Sequence, residues 1–242
     1  MAVFVVAHGA WSAAWAWKKM RPLLRGTGHE LWTPTYTGLG ERAHLASPAV
    51  DLDTHIADVI GVLEMEDLRE VVLIGHSYGG MVATGVADRA RERIAQVIYL
   101  DAFVPQDGQS VFDLQPAAAR ERMRGLARAE GEGWRIPPTP MPADTPASDQ
   151  AWASGRRLPH PIKTFEQPLR LVGKGPPPPA SYIYCRRIGP ADVFRQFAER
   201  AQREGGWRYF EIEASHNPHI TTPQALLELL QTIVATKPRV LS

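Results

Sequence analysis

Short, nearly continuous runs of apolar residues alternate along the chain with segments of helical periodicity. Residues 2–7, 70–75 and 95–105 are rich in Val, Ile, Leu and aromatic residues. Runs of this length are typical of strands that are buried on both faces. Residues 53–65 and 80–94 repeat apolar residues at helical spacing. The alternation predicts an α/β fold, with a mostly parallel central sheet and helices on both faces.

This alternation stops about halfway along the chain and resumes later. Residues 117–130 predict one helix, but residues 136–146 are rich in proline and follow neither the strand nor the helix period. A long segment of this kind inside a domain is usually functional. We therefore divide the chain into an α/β core of residues 1–105 and 169–242 and an inserted cap or lid of residues 106–168.

Composition excludes several classes of protein. Lys and Arg total 27 against 26 Asp and Glu, so the formal net charge is +1, and no basic run indicates nucleic-acid binding. We expect no signal peptide, because no basic segment precedes a long apolar one, and no membrane association; a cytoplasmic location follows. Cys185 is the only cysteine, which excludes an intramolecular disulfide and argues against a cysteine-based metal site. The sequence gives no indication of an oligomeric state.

A glycine-flanked serine interrupts the second of these apolar runs. The segment Gly75-His76-Ser77-Tyr78-Gly79 fits the pattern G-x-S-x-G and lies between a predicted strand and a predicted helix. That context predicts a nucleophile elbow, a tight turn that exposes a serine at the carboxyl end of the sheet. The amino end of the following helix favours negative charge developing there. We therefore expect Ser77 to be a nucleophile.

A serine nucleophile needs a base, and histidine is the commonest one. His216 and His219 follow the last predicted strand, residues 207–213. Loops at the carboxyl ends of parallel strands converge above the sheet, where Ser77 is expected. We choose His216 because it comes first after the strand, with His219 as the alternative. Three further histidines, in early helical or loop segments, are expected to be solvated: His29, His44 and His55.

The carboxylate that orients the base has two candidates. Asp101 ends the apolar run that follows the serine, where an unpaired acid would be costly to bury. A protonated imidazole is a suitable partner. Asp192 is the alternative, but it lies where a helix is expected to begin, which favours a capping role. We choose Asp101; a Ser-His dyad without an acid is the third alternative.

The remaining site residues are predicted from their positions in the chain. An oxyanion hole needs backbone N–H groups. We assign these to Tyr78, which follows the nucleophile, and to Ala10, which follows the first strand. Trp11, Phe103 and Trp134 are candidate apolar walls of the substrate pocket.

Four segments resemble the α/β-hydrolase superfamily, and more narrowly the plant methylesterase and hydroxynitrile lyase group with its bacterial esterase relatives. These segments are HGAWSAAWAWKKMRPLLRGTGH, VVLIGHSYGGM, IAQVIYLDAFVP and SHNPHITTP. They cover the first 105 residues well and the last 60 moderately, whereas the cap matches weakly. The resemblance implies a serine hydrolase with Ser77 and His216 as catalytic residues and with Ala10 and Tyr78 as oxyanion donors.

Two departures from the plant group bear on the acid and on the reaction. The loop after SYIYC, where the plant enzymes place their acid, begins with arginines. The segment YLDAFVP instead resembles certain haloalkane dehalogenases, in which the acid follows the next strand; this supports Asp101. Dehalogenation itself is excluded because its nucleophile is an aspartate. The cyanohydrin-cleaving lyases of the group carry a lysine after the catalytic histidine, where this chain has Asn217.

We therefore predict a carboxylic ester hydrolase that needs no cofactor and no metal. It should act on small, largely apolar esters through an acyl-enzyme intermediate. A C–C lyase or hydrolase of the hydroxynitrile lyase type and a non-catalytic small-molecule receptor on the same scaffold are the alternatives.

Overall fold

The computed structural model describes residues 1–173, 175–187 and 192–236, which form eight strands and nine α-helices. The strands are β1 (Val3–Ala7), β2 (Glu30–Trp32), β3 (Val71–His76), β4 (Ile94–Leu100), β5 (Arg135–Ile136), β6 (His160–Pro161), β7 (Ala180–Cys185) and β8 (Trp207–Ile212). The helices are α1 (Met20–Gly26), α2 (Leu52–Met65), α3 (Gly79–Arg89), α4 (Ala117–Glu130), α5 (Ala147–Ser154), α6 (Lys163–Glu166), α7 (Arg195–Arg203), α8 (Pro218–Thr221) and α9 (Pro223–Ala235).

Six of the strands form one central sheet in the order β2-β1-β3-β4-β7-β8. Every neighbouring pair in this sheet is parallel. All six residues of β3 are buried, as are six of the seven in β4, which explains why these strands are apolar without alternation. The predicted α/β fold with a mostly parallel sheet is confirmed.

Two hydrophobic clusters cover the two faces of the sheet. Val5 and Leu73 point into the cluster that contains buried residues of α2, α3 and α7. Phe4 and Ile74, their neighbours along the same strands, point into the cluster formed with α1 and α9. Successive side chains of a strand point to opposite faces, so each strand contributes to both clusters. Within the ranges described, no helix is long and apolar enough to cross a membrane.

The segment between β4 and β7 contains α4, α5, α6 and a small antiparallel pair, β5 with β6. Helix α4 has the bounds that the sequence predicts. Helices α5 and α6 and the β5–β6 pair were not predicted, because each is short and lies among prolines that hide its periodicity. The boundaries 106–168 of the cap stay a prediction, and the last six residues of the predicted core lie outside the described ranges.

Candidate active site

Ser77 lies in the turn between β3 and α3 and has a left-handed backbone, with φ of 56°. Such a conformation costs about 1–3 kcal/mol for a residue with a side chain and persists only where the surroundings enforce it. Two backbone hydrogen bonds do so: Ser77 N donates to Leu100 O at 3.3 Å, and Phe103 N donates to Ser77 O at 3.1 Å. The turn therefore fixes the serine above the end of the sheet.

The last glycine of the motif and the glycine that follows it are required because neighbouring backbone lies very close. A Cβ on Gly79 would lie 2.0 Å from Ala7 O, and one on Gly80 would lie 2.0 Å from Phe103 O. Both distances are far inside van der Waals contact, and both neighbours are backbone atoms that cannot rotate away. Helix α3 therefore packs against the loops after β1 and β4 only because its first residues lack side chains.

His216 lies in the loop between β8 and α8, and its Nε2 is 2.9 Å from Ser77 Oγ. Two further contacts hold the histidine in place. His76 Nε2–H donates to the His216 carbonyl oxygen at 2.8 Å, and the Phe194 ring stacks on the imidazole at 4.9 Å with an interplanar angle of 10°. The imidazole is therefore directed at the serine hydroxyl from a position fixed through both its backbone and its ring.

Asp101 follows β4 and lies behind the imidazole, with its Oδ2 2.6 Å from His216 Nδ1. A carboxylate only accepts, so Nδ1–H donates to Asp101 and leaves the Nε2 lone pair to accept from Ser77 O–H. The backbone N–H of Cys185 donates to the other carboxylate oxygen at 3.3 Å. Burial raises the pKa of Asp101, while the hydrogen bond to His216 opposes that rise. The three side chains thus form one hydrogen-bonded chain.

Asp192, the alternative acid, makes different contacts. Its carboxylate accepts from Tyr184 O–H at 2.6 Å and from the backbone N–H groups of Phe194 and Arg195 at 3.1 and 3.0 Å. It thereby satisfies donors at the start of α7, which is the capping role expected from its position. The structure brings Asp101, and not Asp192, to His216.

The two amides assigned to the oxyanion hole lie at the same end of the sheet. Tyr78 is adjacent to Ser77, and Ala10 follows Gly9, where an added Cβ would lie 3.2 Å from Ser77 Cβ. The loop after β1 therefore passes directly beside the serine. No residue in the described ranges accepts a hydrogen bond from the Ala10 or Tyr78 backbone N–H, so both donors are free to bind an oxygen.

A cavity of about 80 Å³ opens over Ser77 and His216. Its walls combine residues of the loops after β1 and β8 with residues from the segment between β4 and β7. These are Gly9, Ala10, Trp11, Ser12, Trp15, His76, Thr139, Pro140, Met141, Pro142, Arg157, Asn217, His219 and Ile220. The cavity is therefore small and has both polar and apolar groups on its walls, and Trp11 lies on its wall as predicted from the sequence.

Phe103 and Trp134 do not line this cavity. Phe103 is 3% exposed and packs against Phe194 at 5.1 Å between ring centroids, because the chain turns inward after Asp101. It thus supports the ring that stacks on His216. Trp134 lies at the surface, where the Arg135 guanidinium covers it at 4.7 Å. The structure does not place Phe103 or Trp134 on the wall of the cavity over Ser77, which corrects their assignment as pocket walls.

Buried histidines and tyrosines pack behind the oxyanion side of the site. His55 is fully buried, not solvated as expected. Its Nε2–H donates to Thr37 O at 3.1 Å, so its Nδ1 accepts from Tyr78 O–H at 2.9 Å. The sequence contains a signal for this burial: His55 lies three residues after Leu52 and four before Val59, on the apolar face of α2. His44 is exposed, as expected.

Acid is expected to destabilise the protein, because these imidazoles are neutral in the fold. Burial lowers the pKa of His8 to about 4 and that of His55 and His219 to about 3, from 6.5. Below pH 6.5 the unfolded chain binds more protons, so each histidine removes up to about 1.4 kcal/mol of unfolding free energy per pH unit, down to its folded pKa. Asp101 acts in the opposite direction, since its pKa is raised, but it is one group against three.

We expect nearly constant stability between about pH 7 and pH 8 and a fall in the thermal unfolding midpoint of roughly 10 °C between pH 7 and pH 5. Circular dichroism melts at half-unit steps of pH measure this. His55→Gln should flatten the slope by removing one of the titrating groups, whereas His44→Gln, which replaces an exposed histidine, should not. An unchanged midpoint between pH 7 and pH 5 would show that these imidazoles are not held neutral.

Comparison with known proteins gives consistent matches over almost the whole chain. The model of the alpha/beta hydrolase family matches residues 3–229. The carbendazim hydrolyzing esterase of Nocardioides sp. (strain SG-4G) is 38% identical over 242 residues, covering 96% of this chain and 100% of that protein. The putative chloroplastic methylesterase 14 of Arabidopsis thaliana is 27% identical, covering 95% of this chain and 71% of that protein.

Solved structures agree with these matches. An extracellular alpha/beta-hydrolase from a Paenibacillus species superposes with a TM-score of 0.83 at 26% identity, covering 99% of this chain and 100% of that one. Among the matching sequences, an alpha-hydroxynitrile lyase of Arabidopsis thaliana is 30% identical over 103 residues, which is 42% of this chain and 40% of that protein. The resemblance to the methylesterase and hydroxynitrile lyase group and its bacterial relatives is confirmed.

Proposed function

The chain belongs to the alpha/beta hydrolase family, and on this premise we propose that it is a serine esterase that cleaves carboxylic esters through an acyl-enzyme intermediate. The observation that carries the proposal is the hydrogen-bonded chain from Ser77 Oγ to His216, at 2.9 Å, and from His216 to Asp101, at 2.6 Å. The names of relatives that span most of the chain, an esterase and a methylesterase, support the same reaction.

In the first half of the reaction, His216 Nε2 takes the proton of Ser77 while Oγ attacks the ester carbonyl carbon. Asp101 stabilises the imidazolium that forms, through the hydrogen bond at Nδ1. The carbonyl oxygen becomes an oxyanion and accepts hydrogen bonds from the backbone N–H groups of Ala10 and Tyr78. The imidazolium then gives its proton to the departing alkoxide, so an alcohol leaves and an ester of Ser77 remains.

In the second half, a water molecule takes the place of the alcohol. His216 removes its proton, the resulting hydroxide attacks the acyl carbon, and the same two amides hold the second oxyanion. Collapse of this intermediate breaks the bond to Ser77 Oγ, which recovers its proton from His216. The carboxylic acid is then free to leave. Apart from the ester and the water, every group in these two steps belongs to the protein.

The residues on the cavity walls indicate which esters fit the site. Trp11 and Trp15 come from the core, whereas Thr139, Met141 and neighbouring prolines come from the segment between β4 and β7. This supports the role of residues 106–168 as a cap that encloses the substrate. We infer that the site takes small, largely apolar esters.

The test is hydrolysis of p-nitrophenyl acetate and butyrate, run beside cleavage of mandelonitrile. We expect turnover of the esters, together with a transient acyl adduct of the protein in intact-mass spectra. Cleavage of the cyanohydrin should be at background, because Asn217 lies where lyases of the group have a lysine. Inactivity across a broad panel of esters would overturn the proposal.

A further inference from the structure

Arg157 lies in the loop between α5 and β6, and it lines the same cavity as Ser77 and His216. It is partly buried. Apart from the histidines, the other walls of the cavity carry no ionisable side chain. The guanidinium is therefore the one permanent charge among the described residues on this wall.

No carboxylate balances this charge. The guanidinium donates to the backbone carbonyl of Thr139 and lies over the Trp11 ring, 5.8 Å from its centroid. Within the described ranges no Asp or Glu forms an ion pair with it, whereas Arg42 and Arg124 each pair with an acid at 2.8–3.3 Å. The residues outside those ranges contain no Asp or Glu.

A cation in such a place is costly. Removing a charge from water is unfavourable unless another charge or several acceptors replace the water. Here one backbone carbonyl and one aromatic ring replace only part of that water. Burial accordingly lowers the pKa of Arg157. Thr139 O is the one acceptor that the described residues give the guanidinium, and Arg157 lines the cavity, so a bound molecule there can supply the missing acceptors.

We propose that Arg157 is a specificity-determining residue that binds a carboxylate on the non-reacting part of the ester. The inference rests on the proposed esterase function and changes its substrate class in one respect: the preferred esters are short half-esters of dicarboxylic acids, which carry one negative charge. A planar guanidinium matches the two oxygens of a carboxylate, and only an anion neutralises the partly buried charge. The apolar walls then contact the carbon chain that joins the carboxylate to the scissile ester.

The neighbouring residue provides a matched control. Arg156 has the same side chain but is exposed, donates to Trp152 O, and lies over the Trp152 ring at 5.5 Å from its centroid. It does not line the cavity. A change at Arg156 therefore alters the net charge of the protein and of this loop without touching the proposed subsite.

Three methyl esters of matched shape separate charge from hydrogen bonding. Monomethyl succinate carries a carboxylate, methyl 4-oxopentanoate a neutral acceptor, and methyl 4-methylpentanoate neither. We expect wild-type kcat/KM to decrease in that order, measured by pH-stat. In Arg157→Gln the ratio of kcat/KM for the succinate over the methylpentanoate should fall by about 30-fold or more, mainly through KM. Arg157→Lys should recover part of the ratio, and Arg156→Gln should leave it within about twofold.

Two outcomes separate this inference from the proposed function. If the wild type hydrolyses methyl 4-methylpentanoate as well as monomethyl succinate, or if Arg157→Gln lowers both to the same degree, the carboxylate subsite is wrong and the esterase stands. If the wild type hydrolyses neither these methyl esters nor the p-nitrophenyl esters, both proposals fall. A melting midpoint for Arg157→Gln within a few degrees of wild type shows that the variant is folded.

Discussion

Replacing Ser77 with alanine should lower kcat/KM for p-nitrophenyl acetate by about 10⁴- to 10⁶-fold, to little more than the rate that the oxyanion donors provide. The reason is that, among the residues the structure describes, Ser77 Oγ is the only hydroxyl oxygen that hydrogen-bonds to His216 Nε2, at 2.9 Å, and the turn fixes that oxygen. The acyl adduct should disappear from intact-mass spectra. Initial rates over a range of enzyme concentrations measure the loss.

Ser181→Ala is the matched control for this substitution. Ser181 is fully buried in β7, away from the carboxyl end of its strand, so removing its hydroxyl alters the core and leaves the site intact. We expect near wild-type rates for that variant and melting midpoints close to wild type for both. If Ser77→Ala retains more than about one tenth of the activity, the nucleophile is another group and the proposed mechanism is wrong.

The sequence predicted the sheet and its covering helices because their patterns depend on burial alone. Strands β3 and β4 are apolar throughout, as strands between two helical layers must be. The G-x-S-x-G segment and the glycine after it are a second such signal, since a Cβ on Gly79 or Gly80 would lie 2.0 Å from a backbone oxygen. Signals of this kind are local in the chain, and they are therefore readable without knowledge of the fold.

The cavity walls could not be predicted in the same way. Trp134 is a large apolar residue in the predicted cap, yet it lies at the surface under Arg135. Phe103 is close in sequence to Asp101, yet its ring packs into the core against Phe194. Whether the side chain of a loop residue faces a cavity depends on the turns of the backbone. The segment between β4 and β7 has few periodic elements that would fix these turns.

Arg157 and His55 illustrate the same difference. Nothing in the local pattern around Arg157 distinguishes it from Arg156, and only the fold shows that one faces the cavity and the other solvent. For His55 a signal exists, because the apolar spacing of α2 includes it. The burial of a polar residue can thus be predicted when it lies on the regularly spaced apolar face of a helix. It cannot be predicted when the residue lies in a loop.

Replacing Asp101 with asparagine should lower kcat for ester hydrolysis by about 10⁴-fold with a smaller effect on KM. The carboxylate accepts from His216 Nδ1–H and so leaves Nε2 without a proton. An asparagine amide can donate in that position, which would place the imidazole proton on Nε2, where it cannot take the proton of Ser77. Steady-state kinetics with p-nitrophenyl acetate separate kcat from KM.

Asp192→Asn is the matched substitution that decides between the two acids. Asp192 contacts Tyr184, Phe194 and Arg195, and an asparagine keeps an oxygen for the two backbone donors. We expect kcat within about threefold of wild type and a loss of less than about 1 kcal/mol in unfolding free energy, because asparagine still caps α7 and the substitution removes only the ion pair with the exposed Arg195. A 10⁴-fold loss in this variant, with an active Asp101→Asn, would transfer the role of the acid to Asp192. Equal activity in both variants would mean that Ser77 and His216 act as a dyad, with the buried carboxylate serving only to hold the imidazole in place.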